Sequence, residues 1–362
     1  MTDARVDPRR RVCGARASMR IRDPEPGAPE RAMRLVRPAL IALVIVIFTA
    51  PFAVNAQQPT RVQRIGLLLT GTPPDQNVEA FKEALRELGY VENQNLVLDY
   101  RWARGRTDLW PELAAALVGA KVDVIVTQAT PAALAAKRAT TTVPIVMAYA
   151  ADPVGTQVVA SLAHPGGNVT GVTTLAPTLS AKRLEILKEA FPKTSRVGVL
   201  RLTGAGYYRA ADLFWNETER AARALQLPLV PVKAAVEEQY QSAFTAIVRG
   251  RADSIITLGD FVLTGSQRTH IVELVFRHRL PAIYQGIESV DVGGLMSYGP
   301  NIPALHRRAA AYVDKILKGA RPSTLPVEQP TKFDLVINLR TAKALDLTIP
   351  QSLLLRADQL VE

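Results

Sequence analysis

Sulfur chemistry is almost absent from this sequence: its 362 residues hold one cysteine, Cys13, inside an arginine-rich leader. The rest of the chain therefore has no disulfide, thiolate nucleophile or thiolate metal ligand. Arg11 and Val12 lack the small, apolar pattern that precedes a lipid-modified cysteine. Histidine is scarce, with four residues. His164 sits in a turn, His270 and His278 on a helix with arginines nearby, and His306 at a helix start; none has metal-ligand spacing. There is no nucleophile elbow, no Walker loop and no G-x-G-x-x-G after a strand. No metal or cofactor is expected, and an enzyme stays open only because carboxylates that converge in three dimensions leave no sequence pattern.

Long apolar runs are also missing. The run from Ala39 to Phe48 is ten residues, against about 20 for a spanning helix. It follows Arg31, Arg34 and Arg37 and leads to Val54-Asn55-Ala56. That is the pattern of an export signal over 33–56, cut ahead of Gln57; an uncleaved N-terminal anchor is the alternative. Residues 1–32 read as a disordered extension or a mis-assigned start. The formal charge of +11 suggests an anionic partner, but ten arginines of residues 1–56 contribute much of it. No aromatic-interleaved basic stripe or recognition helix follows, so nucleic acid is not expected as a partner.

What the sequence does contain is a repeat. Arg64-Ile65-Gly66-Leu67-Leu68 returns as Arg196-Val197-Gly198-Val199-Leu200, Asn95–Tyr100 as Pro228–Lys233, Val122–Gln128 as Ala252–Leu258, and Val143–Ala150 as Leu280–Ile287. The offsets are 132, 133, 130 and 137 residues, far above the roughly 20–50 of solenoids, so whole domains are duplicated. Each unit alternates strand and helix. Arg64–Thr70 is a strand buried on both faces. Val78, Phe81, Leu85 and Leu88 then fall on one helical face that ends at Gly89. The fold class is α/β: two doubly wound parallel-sheet, Rossmann-like lobes, 57–178 plus 298–325 and 179–297 plus 326–362. The helix Leu179–Phe191 leads toward the second lobe.

Ligands of such sheets lie beyond the carboxyl ends of the strands, here in the cleft between lobes. After the first strand come Thr70, Gly71 and Thr72; after the third, Thr127 and Gln128 lead to Thr130-Pro131 and a helix start whose free amides fit a carboxylate or phosphate. A plain threonine N-cap explains Thr130 equally well. Asp152 and Asp260 follow strands and suit a ligand ammonium group or a helix cap. Tyr149, Tyr284 and Tyr298 stand at strand ends for ring stacking or core filling, Ser297 offers a neutral hydrogen bond, and Thr203 opens the cleft lip near Tyr207 and Tyr208.

Several stretches together resemble ABC-transporter substrate-binding proteins of the type I periplasmic-binding-protein superfamily, in the group similar to tryptophan/tyrosine-binding proteins. They include Gly89-Tyr90-Val91-Glu92-Asn93, Thr130-Pro131-Ala132-Ala133, Asp152-Pro153-Val154-Gly155, His164-Pro165-Gly166-Gly167-Asn168 and Gly293-Gly294-Leu295-Met296-Ser297-Tyr298-Gly299. The resemblance runs from Gln57 to Glu362. It implies two lobes joined by three crossings and closing over a small molecule, with an ABC permease and ATPase as partners. It also implies a periplasmic location and membrane contact only through the transporter or an uncleaved signal. One departure is the lip Thr203-Gly204-Ala205-Gly206-Tyr207, where the family usually has an Asn-Pro-x-Asn-Pro pattern. The ligand reading is a carboxylate-bearing, aromatic amino acid-like compound. Thr127 and Thr130 would hold its acid, Asp152 or Asp260 its amine, and Tyr149 or Tyr298 its ring. A signalling receptor in place of a transporter is a further alternative.

Overall fold

The computed structural model describes residues 61–362 except 175–176, 204–207 and 260–262, so the expected export signal lies outside the described residues. The first sheet has five strands in the order β2-β1-β3-β4-β5. They are β1 (Gln63–Leu69), β2 (Leu96–Trp102), β3 (Val124–Gln128), β4 (Ile145–Tyr149) and β5 (Val169–Gly171), all parallel. Side chains alternate across a strand, and the two faces have separate cores. Ile65, Leu67 and Leu69 pack with α1 (Gln76–Glu87), while Leu68 packs with α2 (Trp110–Gly119) and α3 (Ala129–Ala139). A strand covered on both sides must be apolar throughout, which is why β1, β3 and β4 read as continuous runs.

The second sheet has seven strands in the order β12-β11-β10-β9-β8-β6-β7. They are β6 (Val197–Leu202), β7 (Leu229–Ala234), β8 (Ser254–Leu258), β9 (Ala282–Tyr284), β10 (Met296–Gly299), β11 (Asp334–Asn338) and β12 (Gln359–Val361). The run β7-β6-β8-β9-β10 reproduces β2-β1-β3-β4-β5, so the sequence repeat is a repeat of topology. Even the glycine of the first strand recurs for one reason. A Cβ on Gly66 would lie 2.8 Å from Leu117 Cδ2 of α2, and one on Gly198 2.6 Å from Ile247 Cγ2 of α6 (Tyr240–Arg249). Each glycine lets a helix sit close on its sheet. β11 departs from the parallel scheme by running antiparallel to β10.

Around this sheet lie α4 (Leu179–Ala190), α5 (Tyr208–Ala224), α7 (Gly265–Arg277), α8 (Ile287–Asp291), α10 (Leu339–Ala344) and α11 (Gln351–Leu354). Leu184, Ile186 and Leu187 of α4 share a core with Val197 and Val199 of β6. The long helix α9 (Ile302–Leu317) instead returns to the first lobe, where Ala309, Tyr312 and Val313 join the core of β1 and α1. The chain thus passes between the lobes after β5, between β10 and α9, and between α9 and β11.

Two of these crossings hold each other. Val172 and Glu328 form a parallel bridge; the Glu328 amide donates to Gly171 O at 3.0 Å and the Thr173 amide to Glu328 O at 2.9 Å. The remaining one, between β10 and α9, is tied down by Arg183 of α4, which is fully buried and donates from Nε to Tyr298 O at 2.7 Å. Beside it, Gly299 is obligatory, because a Cβ there would stand 1.9 Å from Gln285 O. Among the described residues no helix is long and apolar enough to cross a membrane.

Candidate functional site

The carboxyl ends of β1, β3 and β4 face the second lobe across a cavity of about 260 Å³. The first lobe lines it with Thr70 to Thr72, Asp75 to Asn77, Gln128 and Tyr149. Across from them stand Leu263, Gly265 and Arg268 at the start of α7, and Ile287, Glu288 and Asp291 of α8; Ile302 and Pro303 of α9 close the back. Both lips of the cleft touch. A Cβ on Gly105 would sit 2.9 Å from Thr264 Cγ2, and one on Gly155 3.0 Å from Leu213 Cδ1 of α5. The lobes therefore meet at the rim of the cavity. Its volume is below the roughly 300–1,000 Å³ of pockets for drug-sized ligands, which suits a molecule of amino-acid size.

Gln128 organises the first-lobe floor. Its Oε1 accepts from the Thr70 amide and hydroxyl, both at 3.1 Å. With the carbonyl fixed on that side, Nε2 donates to Asp75 Oδ2 at 3.3 Å and to His306 Nε2 at 3.1 Å. A ring nitrogen that accepts carries no proton, so His306 holds its proton on Nδ1, 3.0 Å from Ile302 O. Burial of the 2% exposed ring pushes its pKa down, against the Ile302 carbonyl and the Asp75 charge, which pull it up. Burial, then Asp75, raise the Tyr149 phenol, while its hydrogen bond to Thr70 works the other way.

The backbone explains how Gln128 reaches this position. The β3–β4 register shifts between Thr127 and Gln128, and Ala129 has φ 64°. A bulge re-aims the side chain beyond it, and a left-handed alanine costs about 1–2 kcal/mol that the surrounding contacts must offset. On the opposite wall, Thr264 and Gln267 form a capping box that fixes the start of α7. Asp75 does the same for α1, its Oδ1 accepting from the Asn77 amide at 2.8 Å. Burial raises the carboxyl pKa of Asp291, opposed by the Arg268 charge.

Of the residues singled out in the sequence, Thr70, Gly71, Thr72, Gln128 and Tyr149 line the cavity. The others are elsewhere. Thr130, 2% exposed, accepts the Ala151 amide on its hydroxyl at 3.0 Å and so ties the start of α3 to the segment after β4, while Asp152 Oδ1 accepts the Gly155 amide at 2.8 Å in a local turn. Thr127 and Tyr284 are core residues, and Thr203 is buried at the end of β6. Ser297 faces a smaller cavity of about 130 Å³ beside Lys332 and Asp334. The Tyr298 ring lies 6.1 Å from that of Phe333, away from the cleft cavity. Asp260 lies outside the described residues. Sequence reading passed over Asp75, Arg268, Glu288 and Asp291; only Asp75 had a signal, as an acid after Pro73-Pro74 and before a helical apolar face. Among the described residues no group of three or more His, Cys, Asp or Glu is placed to hold a metal ion.

Residues 65–361 match the sequence model of a family described as ABC transporter substrate binding protein. A tyrosine-binding protein of Clostridioides difficile is 27% identical over 75% of this chain and 77% of its own length. Among solved structures, a conserved domain protein of Vibrio cholerae is 31% identical with a TM-score of 0.77, covering 83% of this chain and 100% of the other. An ABC domain of Streptococcus pneumoniae in complex with L-Trp is 27% identical with a TM-score of 0.75, covering 83% and 99%. The two-sheet architecture is that of type I periplasmic binding proteins.

Proposed function

Since the chain belongs to the ABC transporter substrate-binding protein family, we propose that it is the periplasmic receptor of an uptake system, capturing an amino acid in the interlobe cleft and presenting it to an ABC permease and ATPase. The observation that carries this reading is the cavity lined by both lobes. A ligand that touches both lobes only when they are closed shifts the population toward the closed form, and no covalent step is required. The start of α7 with Arg268 suits a carboxylate, Asp75 or Glu288 an ammonium group, and the Tyr149 edge with Ile287 and Ile302 an apolar body. This replaces Thr130 and Asp152 as the ionic partners, because the Thr130 hydroxyl already holds the Ala151 amide and Asp152 Oδ1 the Gly155 amide. The ligands named for the Clostridioides and Streptococcus proteins support an amino acid.

A thermal-shift panel of amino acids, sugars, nucleosides and polyamines tests the reading. An amino acid at 100 times its dissociation constant stabilises the native state by about 2.7 kcal/mol and is recovered unchanged. A panel compound that is consumed would instead place an enzyme in this cleft, and a sugar as the sole hit would remove the amino-acid assignment.

A further inference from the structure

Gln128 lines the cavity, yet its hydrogen-bonding capacity is already spent inside the protein. A side-chain amide offers two lone pairs on its oxygen and two hydrogens on its nitrogen. The Thr70 amide and hydroxyl occupy the oxygen, and Asp75 Oδ2 and His306 Nε2 take the two hydrogens. The residue is 1% exposed, so a lost partner is not replaced from bulk water. Turned over, the amide would set Oε1 against the Asp75 carboxylate and Nε2 against the Thr70 N–H, like against like at both ends. A group that is saturated and held in one orientation acts on a ligand only through its neighbours.

The neighbour that gains is Asp75. Capping α1 needs one carboxylate oxygen, and Oδ1 serves it by accepting the Asn77 amide at 2.8 Å and the Val78 amide at 3.4 Å. The cap does not account for the hold on Oδ2, which comes from Gln128, 53 residues further along the chain. An oxygen that accepts one hydrogen bond keeps a second lone pair. Asp75 is half-buried in the cavity wall with both oxygens fixed, so a ligand ammonium group meets a carboxylate that needs no reordering.

His306 completes the arrangement from another element. Its ring comes from α9, stands 5.7 Å from that of Tyr149, and takes the Gln128 hydrogen that would otherwise be buried unpaired. The Ile302 carbonyl on Nδ1 sets the tautomer that leaves Nε2 able to accept. We propose that Gln128 and His306 are positioning residues, which do not bond to the ligand themselves but together aim Asp75 at its α-ammonium group. This rests on the amino-acid receptor reading above and goes further by choosing Asp75 over Glu288 and by naming the two side chains that hold it ready.

The test is titration calorimetry of the full chain with the standard L-amino acids, after which the tightest binder is compared with its des-amino analogue, the same molecule with hydrogen in place of the ammonium group. The wild-type protein is expected to prefer the amino acid by about tenfold or more, the worth of one hydrogen bond between charged groups. Asp75→Asn is expected to bring that preference close to one. His306→Phe keeps a ring beside Tyr149 but removes the acceptor, and should shrink the preference severalfold; His306→Gln, whose Oε1 can accept from Gln128, should restore most of it. Where His306→Phe does not fold, Gln128→Met, which removes the donor, takes its place. A preference that stays at the wild-type value in His306→Phe or Gln128→Met overturns the positioning role, as does a His306→Gln protein that restores nothing. A wild-type preference near one, or one that survives Asp75→Asn, overturns the choice of Asp75. In each of these cases the receptor reading stands, whereas an absence of binding by every amino acid overturns that reading as well.

Discussion

Gln128 and His306 face each other through their Nε2 atoms at 3.1 Å, and only one proton can lie on that line. The carbonyl side of Gln128 is committed to Thr70, so the amide is the donor and the imidazole is neutral. The pair connects the end of β3 to α9, the helix that follows the second crossing. It also leaves Asp75 with one oxygen on Gln128 and one on the α1 amides.

A pH dependence follows. The native pKa of His306 lies below the ordinary 6.5, with burial the largest cause. Between 6.5 and that lower value the unfolded chain binds a proton that the native chain does not, so stability falls as pH drops through this window and is unaffected above it. The slope cannot exceed about 1.4 kcal/mol per pH unit for one group. His306→Gln is expected to flatten this part of the profile. Denaturant midpoints of both proteins at pH 7.5 and 5.5 check it; an unchanged difference between the two pH values would mean that His306 is charged in the native state.

Gly299→Ala places a Cβ 1.9 Å from a backbone oxygen, Gln285 O, which no side-chain rotation relieves. The expected loss is at least about 1–3 kcal/mol, the usual cost of an overpacked core. Because the residue sits where β10 hands over to α9, ligand affinity should fall as well. Urea unfolding with a ligand titration on the surviving native protein measures both.

The two internal-repeat glycines are expected to behave alike and unlike Gly119. Gly66→Ala and Gly198→Ala each push a methyl into a facing helix side chain and should cost about 1–3 kcal/mol. Nothing stands within 4 Å of a Cβ on Gly119, at the end of α2, so Gly119→Ala should stabilise by about 0.5–1 kcal/mol through helix propensity and a less flexible unfolded chain. Thermal unfolding of the three variants gives opposite signs.

Most of the fold was legible because both sheets are buried on both faces, which turns β1, β3, β4, β6 and β8 into apolar runs that nothing but an interior strand explains. The antiparallel β11 is also an apolar run, Leu335-Val336-Ile337, but direction is not encoded in such a run; it is set by the route of the third crossing. At the site, the rule that ligands gather beyond strand ends led to Thr70 and Gln128. It led equally to Thr130 and Asp152, since a hydroxyl or carboxylate after a strand looks the same whether it holds a backbone amide of its own lobe or faces a cavity. Arg268, Glu288 and Asp291 lie on helices, where a charge is indistinguishable from a solvated face until the opposite lobe is in place.

The bridge between Val172 and Glu328 has a mechanical meaning. Two strands hydrogen-bonded side by side cannot twist independently, so the first and third crossings bend as a single strap, with Arg183 pinning the second. A motion between the lobes that bends one of these two crossings must therefore bend the other with it.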